Sequence, residues 1–181
     1  MDVREEAVQK KLELGGFLTT GTKYPLKNAH DLSVAYTPGV AEPCLRIKEK
    51  EELSFDLTCR GNMVAVISDG TRVLGLGDIG AAAAMPVMEG KSLLFKRFGN
   101  VDCVPVVIDT KDAEEFIHTV KLLQKNYAGI NLEDISSPKC YEIENRLKEE
   151  LEIPVFHDDQ HGTVIACLAG VKAALRFVKK D

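Results

Sequence analysis

The chain has 181 residues, 45% of them hydrophobic and 28% charged, with a formal net charge of -5. That length bounds one full hydrophobic core, and the mild negative charge gives no electrostatic case for nucleic acid or a membrane surface. No apolar run approaches the roughly 20 residues of a membrane span, and the charged start MDVREEAVQKKLELGG lacks the apolar stretch of a secretory signal. A cytoplasmic protein is expected. Its five cysteines, Cys44, Cys59, Cys103, Cys140 and Cys167, are scattered and form no C-x-x-C. They read as reduced, mostly buried thiols rather than a disulfide framework or a structural zinc site.

Residues 3–13 read as a charged helix stopped by Gly15 and Gly16. Residues 17–40 carry turn formers and no clear period, which predicts loop around Thr37–Gly39. Residues 41–52 suit a short helix. MVAVIS (63–68) and TRVLGLG (71–77) are two strand-like runs separated by Asp69-Gly70, which predicts a β-hairpin. Residues 85–98 look helical, with Pro86 near the first turn.

From residue 101 the pattern is regular. VPVVID (104–109) is a β-branched run, and the helix after it carries Phe116, Val120 and Leu123 at helical spacing, with Asp112 as its cap. AGINLED (128–134) is the next strand. The following helix opens on Ser137-Pro138 and places Cys140, Ile143, Leu147 and Leu151 on one face. IPVFHD (153–158) is a third strand. A last helix, 160–180, has a stripe of Val164, Cys167, Leu168, Val171, Leu175 and Val178. This alternation implies parallel strands joined by right-handed crossovers. The expected fold is α/β, a three-layer sandwich with a mainly parallel sheet, plus an N-terminal helical extension and a β-hairpin.

In such sheets ligands sit beyond the carboxyl ends of the strands. Asp109 ends the first of these three strands, Glu133 and Asp134 the second, Asp158 and Asp159 the third. Converging carboxylates repel unless a cation neutralises them, and three or more suit Mg²⁺ or Mn²⁺. The plainer reading is solvated loops and helix caps. In HDDQH, His157 falls in a strand and His161 in a helix, so the pair is not expected to converge on zinc.

GLGDIG (75–80) matches the dinucleotide pattern G-x-G-x-x-G. A dinucleotide loop needs a parallel strand before it and a helix straight after it. Here the preceding strand reads as a hairpin arm and the helix as starting late, so the glycines are expected to serve tight turns. Lys91 follows closely in VMEGK. A lysine beside a bound metal and substrate can have a lowered pKa and act as a base, although most single lysines are surface charges.

AYTPGVAEPC (35–44), SDGTRVLGLGDIGAAAAMPVMEGK (68–91), INLEDI (130–135) and VFHDDQHGT (155–163) together resemble the malic enzyme family, its small bacterial and archaeal type, in family order from about residue 15 onward. The resemblance covers the family's N-terminal, substrate-and-metal domain, here residues 1–181. The dinucleotide-binding domain is expected outside this sequence. The resemblance implies oxidative decarboxylation of malate to pyruvate and CO₂ with NAD or NADP and Mg²⁺ or Mn²⁺. Tyr36 matches the family's general acid and Lys91 its general base. Glu133, Asp134 and Asp159 match metal ligands, Asp158 an acid near the lysine, and Arg72 a substrate-carboxylate ligand. The GLGD segment would shape the substrate site, not bind nucleotide.

A homodimer acting on small molecules (malate, oxaloacetate, pyruvate) is implied, with no nucleic-acid or membrane partner. These 181 residues alone are expected not to reduce NAD(P)⁺, whereas decarboxylation of oxaloacetate needs no nicotinamide. Two other readings stay open at this point. One is a metal-dependent phospho-acceptor domain of receiver type, and the other a non-catalytic dimerisation module.

Overall fold

The β-branched run Met63–Ser68 forms β1, the strand on which the sheet is built. The structure, a computed structural model, describes residues 2–73 and 75–180. Before β1 lie four helices: α1 (Val3–Leu14), α2 (Ala29–Ala35), α3 (Ala41–Glu49) and the short α4 (Ser54–Leu57). After it come α5 (Ala81–Gly99), β2 (Asp102–Val107), α6 (Ala113–Leu123), β3 (Gly129–Leu132), α7 (Lys139–Glu150), β4 (Val155–His157) and α8 (Asp158–Phe177). The strands form one parallel sheet in the order β2-β1-β3-β4.

Local chemistry sets the helix ends. Asp112 accepts from the Glu115 N–H at 2.9 Å and caps α6. Gly15, in the left-handed conformation at φ +68°, ends α1. Side chains alternate across β1. Ala65 and Ile67 pack with Ile130 and Leu132 of β3 against Phe116, Ile117 and Val120 of α6 and Ile143 and Leu147 of α7. Val66 lies on the other face, where α5 packs on β1 and β2 and buries Ala84, Met88 and Ser92. Helices therefore cover both faces, as the α/β sandwich reading requires.

Four expectations need correction. The hairpin is not formed. Both edges of β1 are taken by β2 and β3, which leaves residues 71–77 no strand edge to pair with. Among the described residues of that stretch, antiparallel pairing is the single bridge Val73–Gly77. Asp69-Gly70 turns the chain across the strand end instead, and the Ile79 and Gly80 N–H groups donate to the Gly70 carbonyl at 3.1 and 3.2 Å. A Cβ at Gly70 would stand 2.4 Å from the Gly80 oxygen, so only glycine fits there.

The other three concern helices and thiols. Helix α5 starts at Ala81, straight after Gly80, because four consecutive alanines carry it through the turns before Pro86. The 17–40 stretch contains α2, capped by Asn28, which accepts from the Asp31 N–H at 2.9 Å. Helix α8 forms with its apolar stripe as read, and Val164, Leu168 and Val171 on it are exposed. Cys44, Cys59 and Cys167 are exposed too, and only Cys140 is buried. Periodicity reports an apolar face, but not whether this chain covers it.

Leu147 is fully buried between α7 and the sheet, away from the strand ends. Leu147→Ala is expected to cost about 2–5 kcal/mol of unfolding free energy, read from urea denaturation. A loss below about 1 kcal/mol would show that α7 is not part of the core described here.

Candidate functional site

The strand order fixes where a site can form. From β1 the chain crosses to β2 on one side, then returns past β1 to β3 and β4 on the other. The crevice outside the carboxyl ends of β1 and β3 is thus the switch point at which such sheets bind ligands. β1 delivers the segment from Asp69 to Arg72 there, β3 delivers Glu133 and Asp134, and the neighbouring β4 runs directly into Asp158 and Asp159 at the start of α8.

Glu133, Asp134 and Asp159 each present a carboxylate oxygen, and these oxygens lie within 4.8 Å of one another. Asp134 sits at φ +55°, a left-handed conformation uncommon for a residue with a side chain. Its backbone is held on both sides. Its N–H donates to Asp159 Oδ2 at 2.9 Å, and its carbonyl accepts from the Arg72 N–H at 3.0 Å. Glu133 is buried, accepts from Asn131 Nδ2 at 3.0 Å, and faces Lys91 Nζ at 3.3 Å. Lys91, from α5, also donates to Asp158 Oδ2 at 2.6 Å.

The electrostatics follow from this packing. Burial pushes the Glu133 carboxyl up to about 7; Lys91 pulls it back, and Asp159 adds to the rise. Burial works against the charge of Lys91, but the hydrogen bond to Asp158 and the attraction of Glu133 outweigh it and raise its pKa. A lowered lysine pKa was expected beside a metal-bound substrate; with the carboxylates alone around it, Lys91 is held as the cation. His157, 1% exposed, has neither ring nitrogen hydrogen-bonded among the described residues. Burial lowers its pKa against the pull of Asp159 and Glu144.

A cavity of about 320 Å³ opens beside the carboxylates, lined by Arg72, Asp134, His157 and Asp159, with Ser137 and Gln160 among the other walls. The structure thus gathers Lys91, Glu133, Asp134, Asp158, Asp159 and Arg72. It does not gather Tyr36, which is 67% exposed at the end of α2 and lines neither this cavity nor the larger one beside β2.

Asp109 also stays outside, exposed beyond the edge strand β2, with β1 between it and β3. His161 turns to Glu144 at 2.6 Å, away from His157, so the two histidines do not form a shared site. Asp69, Thr71, Asn131 and Lys139 were not singled out as site residues, Asp69 being read only as part of a turn. Asn131 alone left a trace, as a polar residue inside the apolar strand GINL.

The model of the malic enzyme N-terminal domain matches residues 18–148. The chain belongs to the malic enzyme family. It is 58% identical over 169 residues to the NAD-dependent malic enzyme of Geobacillus stearothermophilus, covering 93% of this chain and 35% of that protein. It is 53% identical to the bifunctional malic/malolactic enzyme of Bacillus subtilis, covering 100% of this chain and 44% of that one. The crystal structure of malic enzyme from Pyrococcus horikoshii superposes with a TM-score of 0.92 at 49% identity, over 96% of this chain and 42% of that chain. For the NAD-dependent malic enzyme of Thermotoga maritima the values are 0.94 and 44%, over 96% and 49%.

The chain therefore spans less than half the length of these relatives. The comparisons favour the malic enzyme reading over a receiver-type domain. In this malic enzyme domain GLGDIG places Gly75 in the cavity wall, and Gly75, Gly77 and Gly80 all have positive φ, at +77°, +82° and +79°. The loop turns the chain as expected, although β1 is parallel and α5 follows it directly.

The Glu133 value lies above the ordinary 4.5. Its contribution to stability is thus full below about 4.5 and is lost as pH rises through about 7. Lys91→Ala removes the cation that opposes the rise, so in metal-free protein the Glu133 carboxyl is expected to titrate above 7. Carbon-13 NMR of the side-chain carboxyl reads this directly, and a midpoint that does not move would show that Lys91 does not act on Glu133.

Proposed function

We propose that this domain supplies the cation site, the general base and a substrate-carboxylate ligand for oxidative decarboxylation of malate. The net reaction is malate plus NAD(P)⁺ to pyruvate, CO₂ and NAD(P)H. One observation carries the proposal: three carboxylate oxygens within 4.8 Å, two of them on buried residues, with a lysine against them. Hard oxygen donors in this number suit Mg²⁺ or Mn²⁺. Glu133, Asp134 and Asp159 would hold the ion, which when bound polarises a substrate oxygen. A nicotinamide cofactor, NAD or NADP, would supply the hydride acceptor.

The protein's own residues would carry the proton work. Lys91 takes the C2 hydroxyl proton of malate as hydride leaves C2, with Asp158, at 2.6 Å, holding its amine in place. Arg72, at the cavity wall, binds a substrate carboxylate, since a guanidinium offers paired donors to two oxygens. After CO₂ leaves, Tyr36 delivers a proton to C3 of the enolate. Its exposure beside exposed Leu32 and Val34 favours a homodimer in which Tyr36 serves the neighbouring copy's site. A cytoplasmic setting and freedom from nucleic acid and membranes complete the reading; no helix among the described residues is long and apolar enough to cross a membrane.

Electron paramagnetic resonance of Mn²⁺ tests the cation site without requiring turnover. Wild-type chain should bind the ion, and Asp159→Asn should weaken binding by at least about 10-fold. Because Glu133 must lose its proton to ligate, affinity should fall as pH drops below about 7. Binding that Asp159→Asn leaves intact would overturn the site. In parallel, oxaloacetate decarboxylation above the rate of free Mn²⁺ should vanish in Asp159→Asn.

A further inference from the structure

Asp134 is the residue of the cluster whose backbone most needs explaining, because it would ligate from a left-handed conformation at φ +55°. What holds it there is a chain of buried polar contacts across the switch point. Asp69, 3% exposed, accepts through Oδ1 from the Thr71 N–H at 3.0 Å and from the Thr71 hydroxyl at 2.6 Å. A hydroxyl has one proton. With that proton directed at Asp69, Thr71 Oγ1 is left as an acceptor, and it takes the Ser136 N–H at 2.9 Å. The next residue, Arg72, donates its N–H to the Asp134 carbonyl at 3.0 Å. Lys139 Nζ closes the far side at 2.6 Å from Asp69 Oδ2 and anchors the start of α7.

We propose that Asp69 and Thr71 are positioning residues for the cation site: their carboxylate–hydroxyl relay fixes the Asp134–Ser136 loop and so sets the Asp134 carboxylate against those of Glu133 and Asp159. The inference rests on the cation reading above. Neither residue is among the ligands. Thr71 grips the loop two residues beyond Asp134, and Arg72 grips Asp134 itself. Two successive residues of one segment thus pin two points of the other. A single hydrogen bond would leave a hinge; two leave the left-handed residue no freedom to relax. Outer contacts that orient ligands commonly govern metal affinity as strongly as the ligands do.

The test separates positioning from mere stability. Mn²⁺ affinity and melting temperature are measured on the full 181-residue chain for wild type, Thr71→Val, Thr71→Ser and Val120→Ala. Thr71→Val keeps the side-chain shape and removes the hydroxyl; it should weaken Mn²⁺ binding by about 10- to 100-fold, with Thr71→Ser restoring it to within about threefold. Val120→Ala, in the core under α6, should lower the melting temperature without moving Mn²⁺ affinity. If Thr71→Val does not fold, Asp69→Ala, which removes the acceptor of both Thr71 bonds and the charge facing Lys139, carries the test with an expected loss of at least about fivefold.

Wild-type affinity in Thr71→Val or Asp69→Ala overturns the relay and leaves the cation site standing, as does a Thr71→Ser protein no better than Thr71→Val. A wild-type chain that binds no Mn²⁺ overturns the cation reading, and this inference with it.

Discussion

Carboxylates brought together out of water repel, and the strand ends of this domain are organised around that repulsion. Glu133 and Asp134 are buried, and Asp159 lies close to both. A fold optimised only for stability would place apolar side chains there. Instead, Lys91 reaches in from α5 to Glu133 and Asp158, Asn131 donates to Glu133, and the Asp134 amide donates to Asp159. Even so, burial pushes the Glu133 carboxyl up to about 7, with Asp159 adding to the rise. Strain of this kind persists where surrounding structure over-determines it, and it clusters at working sites.

The parallel sheet delivers those groups with little freedom. Register places Leu132 opposite both Ile67 and His157. The residues that follow each strand therefore leave the sheet at one level. The Glu133 N–H still bonds the Ile67 carbonyl at 3.0 Å, so the ladder continues one step past the strand and carries the first acid with it. Beyond that step the chain must turn, and the left-handed Asp134 is the turn. β4 contributes differently. It passes directly into α8, which puts Asp158 and Asp159 in a first helical turn, where the helix dipole favours negative charge.

The regular half of the chain was legible because its signals are local. Asp112 caps a helix, Ser137-Pro138 precedes one, and β-branched runs with acids at their ends mark strands and their exits. Five of the seven singled-out site residues required only that β3 and β4 be neighbours and that α5 pack over β1. The hairpin misled because Asp69-Gly70 has the right residues for a two-residue turn, and nothing local reveals that β1 has neighbours on both sides. Tyr36 was legible only through resemblance, and its distance from the carboxylates belongs to the packing of α2, which carries no buried residue. Asp69 and Thr71 were hidden for a related reason. A buried relay between segments 65 residues apart leaves no period, only a serine–aspartate–glycine–threonine stretch that reads as a turn.

The lysine makes the logic of the site directional. Lys91 is held as the cation by Asp158 and Glu133, and of these only Glu133 belongs to the cluster a divalent ion would claim. On the proposed function, a base must be neutral to take a proton, and Lys91 among bare carboxylates is held as the cation. A doubly positive ion held by Glu133, Asp134 and Asp159 would offset most of their negative charge. The attraction that keeps Lys91 protonated would then weaken, with Asp158 left as its main partner. Lys91 thus plays two parts with one set of neighbours. It compensates buried charge in the metal-free fold, and on the proposed function it would give up its proton more readily once an ion took over that compensation. This accounts for a lysine lying closer to Asp158, outside the three-carboxylate cluster, than to Glu133 within it. Asp158 can keep the amine in position after the cluster's own charge has been neutralised.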